Sequence, residues 1–376
     1  MMRIGIDVRA LSGASGRRGV GTYIRGLLAG LSAEMAGSAD ELVLFGNGLE
    51  ADTALPEGIT RVTLRRPLRA ITFWDQIAWP PLLAARQVTV FHSPFYAVPR
   101  VRLLRCRVVQ TIHDLTPLKL PGAVSPRNAR IFRMNFNLAR SADRVIVPSM
   151  ATRDDVMALL GIPAGRIAVI PEAADITQDE VARAGADPDR VLSRLGIRRR
   201  YLLHTGGHDV VKNLPGVLSA FAMLSSQGRE LDLVIVGEHG PPTTTLISRA
   251  AALGMLDRVK LPGYVPRADL IALYRNAAAL VYPSFAEGFG LPVLEAMTCG
   301  APVVVSCAGA LMEVGGDACL HADPSDSGAI AAAVARILDD ETLAATLSAN
   351  GRARAARFTW RETARKTLQT YREAAA

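Results

Sequence analysis

Ten short apolar runs recur along the chain, each followed by sequence with helical character, and this alternation constrains the fold more than any other feature. The runs are Arg3–Val8, Leu42–Phe45, Val88–His92, Val108–His113, Arg144–Pro148, Tyr201–Thr205, Leu233–Gly237, Val259–Leu261, Ala279–Tyr282 and Pro302–Ser306. Several are apolar almost throughout, as strands buried on both faces of a parallel sheet are. Strands alternating with helices predict α/β lobes with doubly wound sheets. Two such series flank Ile170–Arg200, where the sequence turns polar and charged, so the reading is two lobes, 1–171 and 172–357. A length of 376 residues suits two or three units of roughly 150. The tail from Phe358 to Ala376 has helical composition and is expected to cap a lobe.

Composition removes several function classes. Apolar residues make up 49% and charged residues 21%, which excludes disordered, collagen-like and coiled-coil chains. Cys106, Cys299, Cys307 and Cys319 are scattered, without a CxxC pair or clustered histidines, so neither a disulfide framework nor a zinc site is expected. The opening MMRIGIDVRAL lacks a signal peptide's apolar stretch, and no later run reaches the roughly 18 apolar residues needed to span a bilayer. A cytoplasmic protein is expected. The net charge of +8 is uneven: residues 1–170 carry 22 Lys and Arg against 12 Asp and Glu, and residues 171–376 carry 21 against 23. A basic first lobe suits an anionic partner, and Arg127, Arg130 and Arg133 recur at three-residue spacing on the expected helix Ser125–Arg140. Either an anionic membrane surface or ordinary solvated charge accounts for that stripe. Nucleic acid is disfavoured, because no reading module or aromatic stacking platform accompanies the basic half.

Ligands of open α/β sheets bind beyond the carboxyl ends of the strands. There, SFAEGFGLPVLEAMTCG passes from a strand through two glycines into a helix, with Pro292 in its first turn and Gly300 at its end. The Gly288, Phe289, Gly290 and Leu291 amides would face an anion such as phosphate. Glu287 and Glu295 lie on either side of this turn. In LHTGGHDVVKNLPGVLSAF a strand ends at Gly206–Gly207 and a helix starts near Asn213, with Lys212 beside it, a second cationic environment. A glycine-rich loop, Gly13–Tyr23, follows the first strand. It is not a dinucleotide fingerprint: Ile24 stands where Gly or Ala is required, and Gly46 and Asn47 replace the ribose-binding acid. His113 and Asp114 follow one strand and His92 ends another. Asp187-x-Asp189 spells a short metal-binding motif, but away from any strand end, so no metal is expected.

Taken together, IGIDVRAL, RRGVGTY, FHSPFYAVP, TIHDLTPL, HTGGHDVVKNL, LPGYVP and FAEGFGLPVLEAM resemble the retaining nucleotide-sugar glycosyltransferases of GT-B fold, in particular bacterial glycosyltransferase family 4. The resemblance covers nearly the whole chain. It implies two Rossmann-like lobes facing a central crevice, an acceptor-binding first lobe with the final helix packed back on it, and a second lobe that binds the donor. Glu287 would hold the donor sugar, with the Phe289 and Gly290 amides beside it, and Glu295 the ribose. Lys212 would bind the diphosphate near Gly206 and Gly207. Gly263, Tyr264 and Val265 would border the base. His113 would contact the sugar or developing charge, Gly19 and Gly21 would admit the donor phosphates, and Asp114, Tyr23 and His92 are assigned to the acceptor side. Family members usually add an arginine at one of two positions that are here Gly207 and Val211, which leaves Lys212, helix amides and His208 or a distant arginine to stabilise the leaving group.

The activity that this resemblance implies is a metal-independent, retaining hexosyl transfer without a cofactor, by an enzyme peripheral on the inner membrane face. Its best-guess donor is GDP-mannose and its acceptor a lipid-linked oligosaccharide of lipopolysaccharide or exopolysaccharide. A sugar-nucleotide epimerase or hydrolase, and an inactive nucleotide-sugar-binding subunit, are the alternatives. A nicotinamide dehydrogenase is weaker.

Overall fold

The computed structural model describes residues 1–12, 16, 18–47, 59–64, 73–95, 98–99, 106–120, 122, 124–183, 188–307 and 309–376. Gly13, Ala14, Ser15 and Arg17 of the glycine-rich loop, Tyr96 and Ala97 of FHSPFYAVP, and Asp187 lie outside the described residues. The chain divides into two compact units, one of residues 1–173 with 358–376 and one of residues 174–357.

In the first unit, β1 (Arg3–Asp7), β2 (Glu41–Gly46), β3 (Thr60–Thr63), β4 (Val90–Ser93), β5 (Arg107–Thr111), β6 (Arg144–Val147) and β7 (Ile167–Val169) form a parallel sheet in the order β3-β2-β1-β4-β5-β6-β7. The second unit holds β8 (Arg200–Thr205), β9 (Leu231–Val236), β10 (Val259–Gly263), β11 (Ala279–Tyr282), β12 (Val303–Ser306) and β13 (Leu320–Ala322), in the order β10-β9-β8-β11-β12-β13. Every described ladder is parallel, and each of the ten predicted strands is present. The unpredicted strands β3, β7 and β13 are sheet edges of three or four residues, too short to carry a period. In both sheets the order reverses beside the first strand, between β1 and β4 and between β8 and β11. Such switch points are where loops diverge and leave room for a ligand.

Inside the supposed polar boundary, Gln178–Arg183 and Pro188–Arg194 are helical. Their acidic first turns and basic last turns complement the helix dipole. The Arg267 guanidinium binds Glu180 at 2.8 Å and also reaches the Asp175 carboxylate, which fastens this stretch to the second unit. In the first unit, Pro126–Leu138 is a helix capped by Ser125, whose side chain accepts from the Asn128 amide. Arg127, Arg130 and Arg133 are exposed on it, while Ile131, Phe132, Phe136 and Leu138 are half-buried.

The last helix, Trp360–Ala375, belongs to the first unit and lies along Gly19–Glu34. Two glycines allow the approach. A Cβ on Gly26 would lie 2.1 Å from the Trp360 ring, and one on Gly30 would meet the Trp360 carbonyl. Thr363, Ala364, Thr367, Leu368, Tyr371 and Ala374 face inward, so a helix far along the chain completes the first unit's core. Gly30→Val should force the two helices apart and lower stability by about 1–3 kcal/mol. Urea unfolding checks this, and an unchanged midpoint would contradict so close a packing.

Candidate functional site

At the switch point of the second unit, the loops after β8 and β11 carry opposite charges into contact. Lys212 ends a 3-10 turn, Val210–Lys212, and its ammonium donates to Glu287 Oε1 and to Tyr282 Oη, both at 2.6 Å. The Lys212 and Glu287 side chains are only 16% and 14% exposed. Burial alone would lower the lysine pKa, but the Glu287 carboxylate and the Tyr282 phenol outweigh it and hold the ammonium above its ordinary value. The two loops are also joined through the backbone, where the Phe285 amide donates to the Val211 carbonyl. Asn213 follows in the left-handed conformation, φ 55°, and caps the helix Leu214–Ser226 by accepting from the Gly216 amide. Its Nδ2 donates to the Pro283 and Pro324 carbonyls, binding the lysine turn to the loops after β11 and β13.

The helix Leu291–Cys299 begins at Gly290, whose φ of 118° is costly for other residues, and ends at Gly300. Pro292, which has no N–H to leave unpaired, occupies its first turn, the Val293 amide donates to the Gly290 carbonyl, and the helix start presents the positive end of the dipole. Gly288 and Gly290 are buried, as is the Phe289 side chain, and Leu291 is half-buried. On the second turn, Glu295 accepts from Tyr274 Oη at 3.0 Å, and that phenol shares a further hydrogen bond with Thr205. Burial pushes the Glu295 carboxyl up to about 7, against the lowering effect of Tyr274. Gly206 follows β8 and packs against Gly237, where a Cβ would strike the Gly206 carbonyl. Gly207 is half-buried and adjoins Asp209. Beyond β10, Tyr264 is 73% exposed and Val265 is buried.

His208 differs from a guanidinium substitute: it is buried, its Nδ1 meets Thr243 Oγ1 at 2.7 Å, and burial lowers its pKa, so it is neutral at neutral pH. Among the described residues, no group of three or more His, Cys, Asp or Glu side chains is placed to hold a metal ion. Asp189 lies in the first turn of the helix Pro188–Arg194.

In the first unit, His113 and Asp114 follow β5. His113 contacts Glu172 Oε1 through Nδ1 at 2.8 Å and the Pro94 carbonyl through Nε2 at 2.9 Å, and Asp114 accepts from the Thr116 amide. Tyr23 and His92, expected on the acceptor side, are both buried. His92 shares hydrogen bonds with Tyr371 Oη at 2.6 Å and Thr111 Oγ1 at 2.8 Å, and Thr111 shares one with Tyr23 Oη at 3.0 Å. Burial drives the His92 imidazole down to about 3, so it is a neutral link inside the core. Gly19 opens the helix Gly19–Glu34, and Gly21 packs on the Gly16 carbonyl, where a Cβ would lie 2.0 Å away. Tyr282, Tyr274, Thr205 and Glu172 were missed from sequence. Their partners lie tens of residues away, and only Asn213 gave a local signal, as a polar residue before Leu-Pro at a helix start.

Two doubly wound parallel-sheet units, the second with a nearly buried lysine–glutamate pair at its switch point, have the architecture of the GT-B enzymes. The chain belongs to the glycosyltransferases: residues 17–178 match the family model Glycosyltransferase Family 4, and residues 194–354 match Glycosyl transferases group 1. The O-antigen chain mannosyltransferase B of Escherichia coli is 34% identical over 291 residues, 75% of this chain and 74% of the relative. Glycogen synthase of Mycobacterium tuberculosis is 30% identical over 345 residues, 87% of this chain and 76% of the relative. Among solved structures, Anabaena HepE in complex with UDP and glucose matches with a TM-score of 0.74 at 21% identity, over 98% of this chain and 99% of that one, a likeness of fold.

Removing one member of a buried pair strands the other's charge. Lys212→Met should therefore destabilise the second unit by about 3 kcal/mol. Adding Glu287→Gln to Lys212→Met should recover most of that loss. Chemical denaturation of the two singles and the double checks this, and strictly additive losses would show that the pair is not coupled.

Proposed function

We propose that the chain transfers a hexose from a nucleoside diphosphate sugar to a lipid-linked oligosaccharide during surface polysaccharide synthesis, with retention at the anomeric carbon and without a metal ion. The Lys212–Glu287 pair at the β8/β11 switch point carries this reading, because it sets a cation for the diphosphate beside a carboxylate for the sugar. Mannose from GDP-mannose is the proposed hexose and donor, supported by the mannosyltransferase named among the relatives.

In the proposed reaction the diphosphate draws the Lys212 ammonium away from Glu287, and the positive N-terminal end of the helix Leu291–Cys299 faces the same phosphates. Fixed donors of this kind stabilise charge as it develops on the leaving group. The bond between the anomeric carbon and the phosphate oxygen breaks, and the acceptor oxygen bonds to the same face of the sugar. The departing phosphate oxygen takes the acceptor's proton. Glu287, released from Lys212, orients the sugar and supports its positive charge without forming a bond to it. Glu295 accepts from the ribose hydroxyls, and Tyr264, exposed beyond β10, borders the base.

The exposed Arg127, Arg130 and Arg133 on the helix Pro126–Leu138 support a cytoplasmic enzyme lying on an anionic membrane. Among the described residues, no helix is long and apolar enough to cross one.

A panel of GDP-, UDP-, ADP- and dTDP-sugars, run with EDTA and anionic vesicles carrying the acceptor, tests the reading. Release of nucleoside diphosphate from one donor class, lost in Glu287→Ala and Lys212→Ala, is the expected outcome. No release from any donor would contradict it. Glu295 adds a pH dependence. With its carboxyl near 7, the ribose-accepting carboxylate forms as pH rises, so KM for the donor should fall several-fold between pH 6 and 8. A flat profile, or one unchanged in Glu295→Gln, would count against that role.

A further inference from the structure

The environment of His113 fixes its proton count. Its two ring nitrogens face two acceptors, the Glu172 carboxylate at 2.8 Å and the Pro94 carbonyl at 2.9 Å. A carbonyl oxygen accepts only, and a neutral imidazole carries one N–H, so a neutral ring would turn a lone pair toward one of these oxygens. An imidazolium donates to both. The demand also runs from the carboxylate's side: Glu172 is buried, and among the described residues no Lys or Arg side chain pairs with it. Burying a carboxylate without a counter-charge is strongly unfavourable.

We propose that His113 stands in the folded protein as an imidazolium, and that Glu172 is the positioning residue that keeps it so. The inference rests on the reading above only for the place of His113 in the transferase site. The groups facing the ring agree with the assignment. Asp114 adds a second negative charge, and the Tyr23 ring packs edge-on at 4.8 Å, fixing the imidazole plane. His92, the nearest other imidazole, is held neutral by burial and adds no repulsion. Burial of His113 would favour the neutral ring, but Glu172 and the Pro94 carbonyl outweigh it and raise the pKa.

The consequence is mechanistic. An imidazolium has no lone pair with which to take a proton, so His113 supplies fixed positive charge and does not act as the base toward the acceptor hydroxyl. That role passes to the leaving phosphate oxygen.

The test is ring-nitrogen NMR of the full chain labelled with 15N-histidine, the His113 signals being those lost in His113→Gln. At pH 7.5 both His113 nitrogens should show imidazolium shifts, with a titration midpoint above that pH. In Glu172→Gln the ring should become a neutral tautomer with a midpoint at least one unit lower, and the alkaline limb of kcat, where the imidazolium is lost, should move down with it. Neutral shifts in the wild-type chain would overturn the assignment, whether or not the variant folds, because they would mean that the shared proton resides on Glu172. A His113 signal unmoved in folded Glu172→Gln would overturn the role of Glu172. The spectra do not depend on turnover. Failure of transfer alone would strike the functional reading, and neutral His113 in an active enzyme would strike only this one.

Discussion

A lysine and a glutamate, each nearly buried, meet where the strand order of the second sheet reverses, and the arrangement of the loops there depends on that contact. Lys212 and Glu287 are 75 residues apart in the chain and come together because β8 and β11 are neighbours in the sheet. Neither charge is tolerable alone at that depth, since taking an ion from water costs several kcal/mol unless a partner and hydrogen bonds compensate. Tyr282 supplies one such bond, and the backbone link from Phe285 to Val211 and the two carbonyl contacts of Asn213 hold the loops in register. The resulting pair holds a cation and a carboxylate side by side at the switch point. In the proposed reaction, donor binding is an exchange of partners for Lys212, which offsets part of the Coulomb gain and couples diphosphate recognition to the release of Glu287.

The first unit is organised by a buried polar chain. Tyr371, on the last helix, reaches His92 on β4, then Thr111 on β5, then Tyr23 on the helix Gly19–Glu34. Each member is buried and hydrogen-bonded, so the chain specifies one seating of the last helix among many that apolar contact alone would allow. The Tyr23 ring in turn borders His113. Residues from opposite ends of the sequence therefore share one scaffold, and the small Gly26 and Gly30 let the last helix come close enough to join it.

The two doubly wound sheets were legible because strands buried on both faces are written as apolar runs, and all ten such runs are strands. What was missed is short or distant. The edge strands β3, β7 and β13 offer three or four residues each. Glu172 sits in PEAAD, which reads as polar linker until β7 and the preceding loops bring it to His113. The glycine turn before Leu291, and the lysine and asparagine before Leu214, were visible because helix starts have local chemistry. The burial of His92 was not legible either: all four residues of β4 are buried, so no alternation marks which face meets solvent. A position at the end of a strand suggested a ligand contact, and the structure gives His92 hydrogen bonds to Tyr371 and Thr111.

The exchange of partners at Lys212 can be measured directly by titration calorimetry with the nucleoside diphosphate that the wild-type enzyme releases. Because Glu287 competes for the ammonium and repels the phosphates, Glu287→Gln should bind that diphosphate several-fold more tightly than wild type while losing transfer, and Lys212→Met should bind it far more weakly. Unchanged or weaker binding by a folded Glu287→Gln would contradict the view that the pair opens to admit the donor.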